Sequence, residues 1–430
     1  MEQLFELAKK VSDQAEIYSF EGRADGVSFE NARLKDIERS IQSGLSLRVI
    51  KYGKLGFAYT RNLIDREELI KNALDSLKGE VEGSFKFPLT KDVPVLETYD
   101  TSIETLTNSE MVEECKRVCG LLSQKTTGQL NVSAHRSTGS IRIINSSGTD
   151  LSLKYSAYSL HTQILYPYSY ASLHRSLIAK AYKEATGEYL DYLVDTYNRS
   201  VKEVMADGNK MKVLFLPETV YALMWRLQSA TSGMSIYQNI SPLAEKMGEK
   251  IFDEKFSVYN DPLNDSLPGA RPFDDEGTPC DRFQIVEKGM LKNFYYDLYF
   301  AQKLKAVPTG HGFRGSVFSK PSPSLGNLSI SPGDTSFPDL VSSVDRGVII
   351  AGALGAHSGN IPNGDFSIGF SPGLYVENGE ITGHVKDAMA AGNIYDTLKN
   401  IVAIEDTLRP ASGGSFPALL FDNIKVTTKK

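Results

Sequence analysis

The stretch GLYVENGEITG, residues 373–383, decides how the second half of this chain of 430 residues folds. Two short runs rich in β-branched and aromatic residues flank Asn378-Gly379, a dipeptide that favours the type I′ turn of a β-hairpin. Similar strand-like runs precede it, namely RFQIVEKG at 282–289 and GVIIAGAL at 347–354. We therefore predict a mostly antiparallel β domain with few helices over residues 211–430.

The N-terminal region, residues 1–206, alternates period-two segments with amphipathic helical segments. The run LSLRVIKYGKLGFAYT predicts an antiparallel hairpin, and Asp65 is placed to cap the helix predicted for IDREELIKNALDSLKG. The parts at about 1–100 and 101–206 each combine strands with one long helix, which predicts two related subdomains. A polar turn at 206–210 marks the boundary to the β domain. The predicted fold class is α+β, with antiparallel strands and long helices in the N-terminal domain.

Composition and charge limit the possible partners and the compartment. The chain carries 47 basic and 53 acidic residues, a net charge of −6, which does not indicate a surface that neutralises nucleic-acid phosphates. No run of 18 apolar residues and no signal-peptide pattern occurs, so we expect neither membrane insertion nor export. Three cysteines in a long chain fit free thiols in a reducing compartment. We expect a cytoplasmic protein without nucleic-acid or membrane partners.

The segment FDDEGTPC, residues 273–280, places three carboxylates side by side, those of Asp274, Asp275 and Glu276. Adjacent carboxylates repel one another, so they belong on a solvated turn unless cations, backbone N–H groups or a ligand compensate them. The segment is therefore either a candidate binding site or a structural turn in which Gly277 and Pro279 set the backbone.

The usual catalytic and cofactor motifs are missing from the sequence. Its six histidines include no H-E-x-x-H or H-x-H pair, so we expect no local metal site and no cofactor. Cys115 and Cys119 share a helix face with apolar residues and are predicted core residues. The segment GHGFRG at 310–315 matches G-x-G-x-x-G, but no strand precedes it and no helix can follow it. It predicts a loop rather than a dinucleotide site.

Several ordered segments resemble the TldD/PmbA family, also called TldD/TldE. In the second half these are DDEGTPCDRFQIVEKGMLKNFYYD, SPSLGNLSISPGD, NGDFSIGFSPGLYVENGEITGHVKD and AGNIYDTLKNIVAI, and in the first half LRVIKYGKLGFAYT. The resemblance implies a cytoplasmic dimer of chains with an N-terminal α+β region and a C-terminal β-rich domain. It also implies proteolysis of unfolded or small peptides by a zinc-binding TldD subunit, with PmbA/TldE as its partner in a heterodimer.

The sequence departs from the TldD pattern at the expected zinc ligands. TldD-like chains carry H-E-x-x-x-H on the first helix of the C-terminal domain and a cysteine ligand near the C-terminus. Here that helix reads PETVYALMWRLQSATSG, residues 217–233, without histidine, and RPASGGSFPALL at 409–420 lacks cysteine. Zinc activation of water needs three protein ligands around an open position, so the chain resembles the PmbA/TldE branch instead.

The sequence therefore predicts a subunit that is inactive alone and that completes a peptide chamber and docks a TldD-like chain, or forms a homodimer. Two alternatives stay open: a peptidase or amidase that uses carboxylates or Cys280, and a self-associating binding protein, in line with older descriptions of the family as DNA gyrase modulators. The candidate chamber residues are Asp274, Asp275, Glu276, His357, Asn360 and Asp365.

Overall fold

The computed structural model describes residues 1–206 and 208–428. Asp207, inside the predicted domain boundary, and Lys429 and Lys430, at the end of the predicted C-terminal domain, lie outside the described residues. The helices of the N-terminal region are α1 (Glu2–Val11), α2 (Arg66–Asp75), α3 (Ser102–Thr105), α4 (Asn108–Ser123) and α5 (Gly187–Ser200), and a 3₁₀ helix, Ser76–Gly79, follows α2. Its strands are β1 (Gln14–Glu30), β2 (Arg33–Lys51), β3 (Lys54–Thr60), β4 (Gln129–Asn145), β5 (Asp150–Leu165), β6 (Ser172–Ala179) and β7 (Glu203–Val204).

The first six strands form one antiparallel sheet in the order β3-β2-β1-β4-β5-β6. Because β1 pairs with β4, the strands of both predicted subdomains belong to this sheet. Strand residues alternate between the two faces of a sheet. Ile17 and Val27 of β1 pack on the face that the helices cover. Tyr18 lies on the other face and packs with Phe273 and Val317 of the C-terminal domain.

The helices of the second half are α6 (Pro217–Thr231), α7 (Gly233–Tyr237), α8 (Leu298–Leu304), α9 (Phe337–Ser342) and α10 (Ile394–Thr397). Its strands are β8 (Lys210–Phe215), β9 (Val258–Asn260), β10 (Phe283–Glu287), β11 (Met290–Leu291), β12 (Gly312–Phe313), β13 (Ser322–Pro323), β14 (Leu328–Ile330), β15 (Arg346–Ile350), β16 (Ala353–Leu354), β17 (Asp365–Phe370), β18 (Gly373–Glu377), β19 (Glu380–Val385), β20 (Ala388–Asn393), β21 (Ile401–Ile404), β22 (Arg409–Ala411), β23 (Gly414–Phe416) and β24 (Leu419–Thr428).

These strands form two main sheets that enclose α6. One has the order β11-β10-β9-β14-β23-β22, and the other runs β16-β17-β20-β24-β8-β15-β18-β19-β7, with β21 paired to β24. Most pairs are antiparallel, and β8 with β15 is one of the parallel exceptions. The predicted α+β class is confirmed. The predicted hairpin is also confirmed, since Asn378 and Gly379 have φ of 50° and 79° between β18 and β19.

None of the helices among residues 1–206 and 208–428 combines the length and the apolar character that crossing a lipid bilayer requires.

Candidate functional site

The acidic turn at residues 274–276 is buried between the two domains. Its three side chains are 1%, 3% and 1% exposed. Arg271 Nη2 donates to Asp275 Oδ1 over 2.5 Å, and Arg48 Nη1 donates to Glu276 Oε1 over 2.6 Å. The compensation that three adjacent carboxylates need therefore comes from the chain itself, and the turn is not solvated.

Arg48 of β2 connects this turn to the N-terminal sheet. Its guanidinium binds both carboxylate oxygens of Glu16 on β1, over 2.8 and 2.6 Å, in addition to Glu276. Glu16 also accepts a hydrogen bond from Arg314 Nη2 over 2.8 Å, and the backbone N–H of Arg314 donates to Asp275. Breaking a buried ion pair by removing one partner costs about 3–5 kcal/mol, so losing one partner of this network would destabilise the contact between the two domains.

The glycine-rich segment at 310–315 holds carboxylates of the same chain. The backbone N–H of Gly312 donates to Asp274 Oδ2 over 2.8 Å. A Cβ atom on Gly312 would lie 2.2 Å from Glu276 Oε2, so a larger residue there would have to displace the Glu276 side chain. The segment thus uses its backbone N–H groups as anion ligands, as phosphate loops do, but its anion is the buried acidic turn.

The close carboxylates change one another's protonation. Asp297 caps α8 by accepting from the Phe300 N–H over 2.7 Å, and Glu276 accepts from the Leu298 N–H over 2.7 Å. The pKa of Asp297 is raised to about 8, mainly because the carboxyl group is buried and secondly because the Glu276 charge lies nearby. Burial also raises the pKa of Asp274, with Glu276 adding to the effect, and burial raises the pKa of Glu276 against the opposing charge of Arg48. Part of the cluster therefore keeps protons near neutral pH.

Helix α6 follows β8 and lies in the core of the C-terminal domain. Pro217 occupies its first turn, where a missing N–H costs nothing. Its apolar stripe was predicted to pack rather than to carry chemistry, and the structure confirms this because four residues are at most 1% exposed: Val220, Leu223, Met224 and Leu227.

The same helix contains a buried cation that the sequence analysis did not identify. Arg226 is 0% exposed, and its guanidinium donates to four backbone carbonyl groups. The acceptors and distances are Ala222 at 2.5 Å, Ala356 at 3.0 Å, Ser358 at 2.6 Å and Asp365 at 2.5 Å. Burial lowers the pKa of Arg226. The side chain fastens the loop between β16 and β17 onto α6.

The other three candidate residues are exposed, two of them in this loop and the third at the start of β17. They are His357, Asn360 and Asp365. The backbone N–H of Asp365 donates to the Asn360 carbonyl over 3.2 Å, and Asn393 Nδ2 donates to Asp365 Oδ1 over 2.9 Å. The structure thus places the six candidates in two settings, a buried acidic turn and an exposed loop held by Arg226.

The cysteines are placed as core residues. Cys115 and Cys119 are 0% and 3% exposed, as predicted. Cys280 is also buried, and its thiol lies 3.2 Å from the carbonyl oxygen of Gly310. Burial raises the pKa of Cys280, so this thiol does not supply the accessible thiolate that nucleophilic catalysis requires.

Comparison with known proteins identifies the family. Residues 208–428 match the family described as PmbA/TldA metallopeptidase C-terminal domain, and residues 15–77 match PmbA/TldA metallopeptidase domain 1. The chain belongs to the PmbA/TldD metallopeptidase family. A metalloprotease PmbA homolog of Haemophilus influenzae is 25% identical over 98% of this chain and 94% of its own length.

Two solved structures share the whole fold. TldE from Thermococcus kodakarensis superposes with a TM-score of 0.90 over 99% of both chains, at 23% sequence identity. A protein from Thermotoga maritima, described as a candidate modulator of a DNA gyrase, gives a TM-score of 0.88 over 99% of both chains, at 26% identity.

A TldD-type zinc centre does not fit the donor set of this PmbA/TldD family member. Zinc requires imidazole, thiolate or carboxylate ligands, whereas α6 contains no histidine or cysteine, offers a single carboxylate, Glu218, and has a buried guanidinium. Within residues 1–206 and 208–428, no three or more His, Cys, Asp or Glu side chains are grouped so that they could hold a metal ion. We therefore derive no catalytic step through zinc for this chain.

Proposed function

We propose that this chain is the PmbA/TldE-like, non-catalytic subunit of a cytoplasmic TldD/TldE-type metallopeptidase that acts on unfolded or small peptides. It completes the substrate chamber and docks a TldD-like catalytic chain in a heterodimer. The exposed residues His357, Asn360 and Asp365 are proposed to line the chamber, and the acidic turn at 274–276 fixes the domains that form its wall.

The observation that carries this proposal is the set of side chains that α6 buries. The helix on which the family resemblance places the first zinc ligands buries an apolar stripe and the Arg226 guanidinium instead. The carbonyl groups around Arg226 already accept its hydrogen bonds, and a second cation beside a fixed guanidinium is repelled. The chain belongs to a metallopeptidase family, but α6 buries apolar side chains and a guanidinium where zinc ligands are expected. Together these two facts support the role of a non-catalytic partner subunit.

The test is co-expression with an H-E-x-x-x-H-bearing relative from the same genome. We expect the two chains to co-purify, and we expect an unfolded peptide to be digested by the pair but not by this chain alone. A TldD-like chain with its glutamate replaced by Gln serves as the control, because it should form the same complex without cleavage.

Two results would overturn the proposal in different directions. Chelator-sensitive cleavage by this chain alone would favour the stand-alone peptidase or amidase. Failure of the two chains to form a complex, together with self-association on size-exclusion chromatography, would favour the binding-protein alternative and a homodimer.

A further inference from the structure

An open cavity of about 640 Å³ lies where the N-terminal sheet meets the segment after β12. The rings of Tyr18, Phe20 and Phe318 form apolar parts of its wall. Its lining also includes residues 41–43 of β2, Arg61 and Arg314. None of the six candidates from the sequence lines it, so this is a separate site.

The charges around the cavity are unbalanced. Arg61 and Arg314 line it, and no carboxylate does so among the described residues. Glu16 neutralises Arg314, whereas Arg61 is exposed and has no ion-pair partner within the described part of the chain. The Arg61 guanidinium lies 5.0 Å from the centre of the Phe318 ring, which orients it by a cation–π contact. Glu21, on the opposite face of the sheet, lines a neighbouring cavity together with Arg61 but does not line this one.

A free strand edge opens into the same cavity. β2 pairs with β1 along its length, but β3 pairs with β2 only at residues 45–51. The outer edge of β2 at residues 33–43 therefore has no neighbouring strand among the described residues, and all of these residues are exposed. Residues 41–43 of this edge line the cavity. An unpaired edge offers backbone donors and acceptors that an extended chain can pair with, whatever its sequence.

The close approach of the two domains at this point depends on Gly44. A Cβ atom there would lie 2.8 Å from the Thr60 carbonyl oxygen and 3.2 Å from both Val317 and Phe318. Glycine thus lets the segment that carries Phe318 pack against the end of β3. As a result, the free edge of β2, Arg61 and Arg314 line the same cavity.

We propose that this cavity binds the carboxylate of an extended peptide whose backbone pairs with the free edge of β2. Arg61 binds the carboxylate, and the rings of Phe20 and Phe318 contact the adjacent apolar side chain. The proposal rests on the proposed function for the peptide nature of the ligand, but the binding step needs only this chain.

The test measures fluorescence anisotropy of labelled octapeptides of Ala, Ser and Val with the isolated full chain. We expect the peptide with a free C-terminal carboxylate to bind about tenfold more tightly than its C-terminal amide. Arg61→Gln should abolish this difference, and its exposed position should leave the fold intact. Arg199→Gln, an exposed arginine on α5 paired with Asp195, is the matched control and should preserve the difference.

A third peptide, amidated and ending in Glu, separates the two sources of a carboxylate. If this peptide binds as tightly as the free acid, the site also recognises a side-chain carboxylate at the last residue. If it binds as weakly as the amide, the site requires the main-chain carboxylate. Equal affinity of wild type for the free acid and the amide overturns the proposal, as does a tenfold difference that persists in Arg61→Gln. Either result leaves complex formation with the TldD-like chain untouched, so the failure of this inference and that of the proposed function can be told apart.

Discussion

Replacing Arg48 by Met tests the buried network that joins the domains. The Arg48 side chain is 2% exposed and is the cation that pairs with Glu276, whereas Glu16 keeps its second partner, Arg314. The variant therefore leaves Glu276 as a buried, uncompensated carboxylate, which costs about 3–5 kcal/mol of unfolding free energy. Adding Glu276→Gln removes that charge, so the double variant should be less destabilised than the sum of the two single variants by about 2 kcal/mol.

Urea unfolding followed by circular dichroism, with equal m-values, provides the free energies of unfolding. The control is Arg142→Gln, because Arg142 is half-buried at the surface and pairs with Glu2 and Asp150. Surface pairs of this kind contribute up to about 1 kcal/mol. The reasoning is refuted if Arg48→Met unfolds at the same urea concentration as Arg142→Gln, or if the effects of Arg48→Met and Glu276→Gln are strictly additive.

Three further predictions concern other parts of the site. Because the pKa of Asp297 is raised to about 8 in the folded chain, the unfolded state releases this proton first, and Asp297 should contribute a loss of about 1 kcal/mol of unfolding free energy per pH unit as the pH rises from 6.5 to 8. Asp297→Asn keeps the helix cap and should flatten this dependence in urea titrations; equal slopes for both proteins would contradict it. Arg226→Met removes the guanidinium donor from the carbonyl groups of Ala356, Ser358 and Asp365, so amide hydrogen exchange at 356–365 should accelerate, whereas Trp225→Phe on the exposed side of α6 should leave the exchange rates unchanged. Gly312→Ala should lower the unfolding free energy by about 1–3 kcal/mol in the same titrations, because the new methyl group displaces Glu276 Oε2, and wild-type stability would show that the turn can adjust.

Local features of this fold were predictable because neighbouring residues determine them. The Asn378-Gly379 turn needs two positive φ angles, and this dipeptide accepts them readily. Asp65 caps α2 by accepting from the Glu68 N–H over 2.9 Å, as predicted. The helical spacing that placed Cys115 in the core depends only on a period of 3.6 residues.

The burial of the acidic turn could not be predicted in the same way. Glu276 and Arg48 are separated by 228 positions, and no local pattern in the sequence links them. From Leu45 to Val49 apolar residues alternate with Ser46 and Arg48, which is the pattern of a strand with one solvated face. In the structure both faces of this part of β2 are buried, so Arg48 needs a buried partner, and that partner becomes known only with the fold.

Arg226 illustrates the same limit on α6. The apolar stripe of this helix is visible in its spacing, whereas three of the carbonyl acceptors of Arg226 lie in the loop before β17 and at the first residue of that strand. A lone arginine among apolar helix residues could equally extend to solvent. The predicted chamber role of His357, Asn360 and Asp365 stays a prediction, because exposure permits contact with a peptide but does not demonstrate it.

Metal analysis tests the central claim most directly. The isolated chain and its complex with a TldD-like chain are purified without chelator, and zinc is measured by mass spectrometry alongside peptide hydrolysis. We predict no zinc and no hydrolysis for the isolated chain, with one zinc per complex and hydrolysis only in the complex. Stoichiometric zinc in the isolated chain, retained on dialysis and needed for cleavage, would contradict the account.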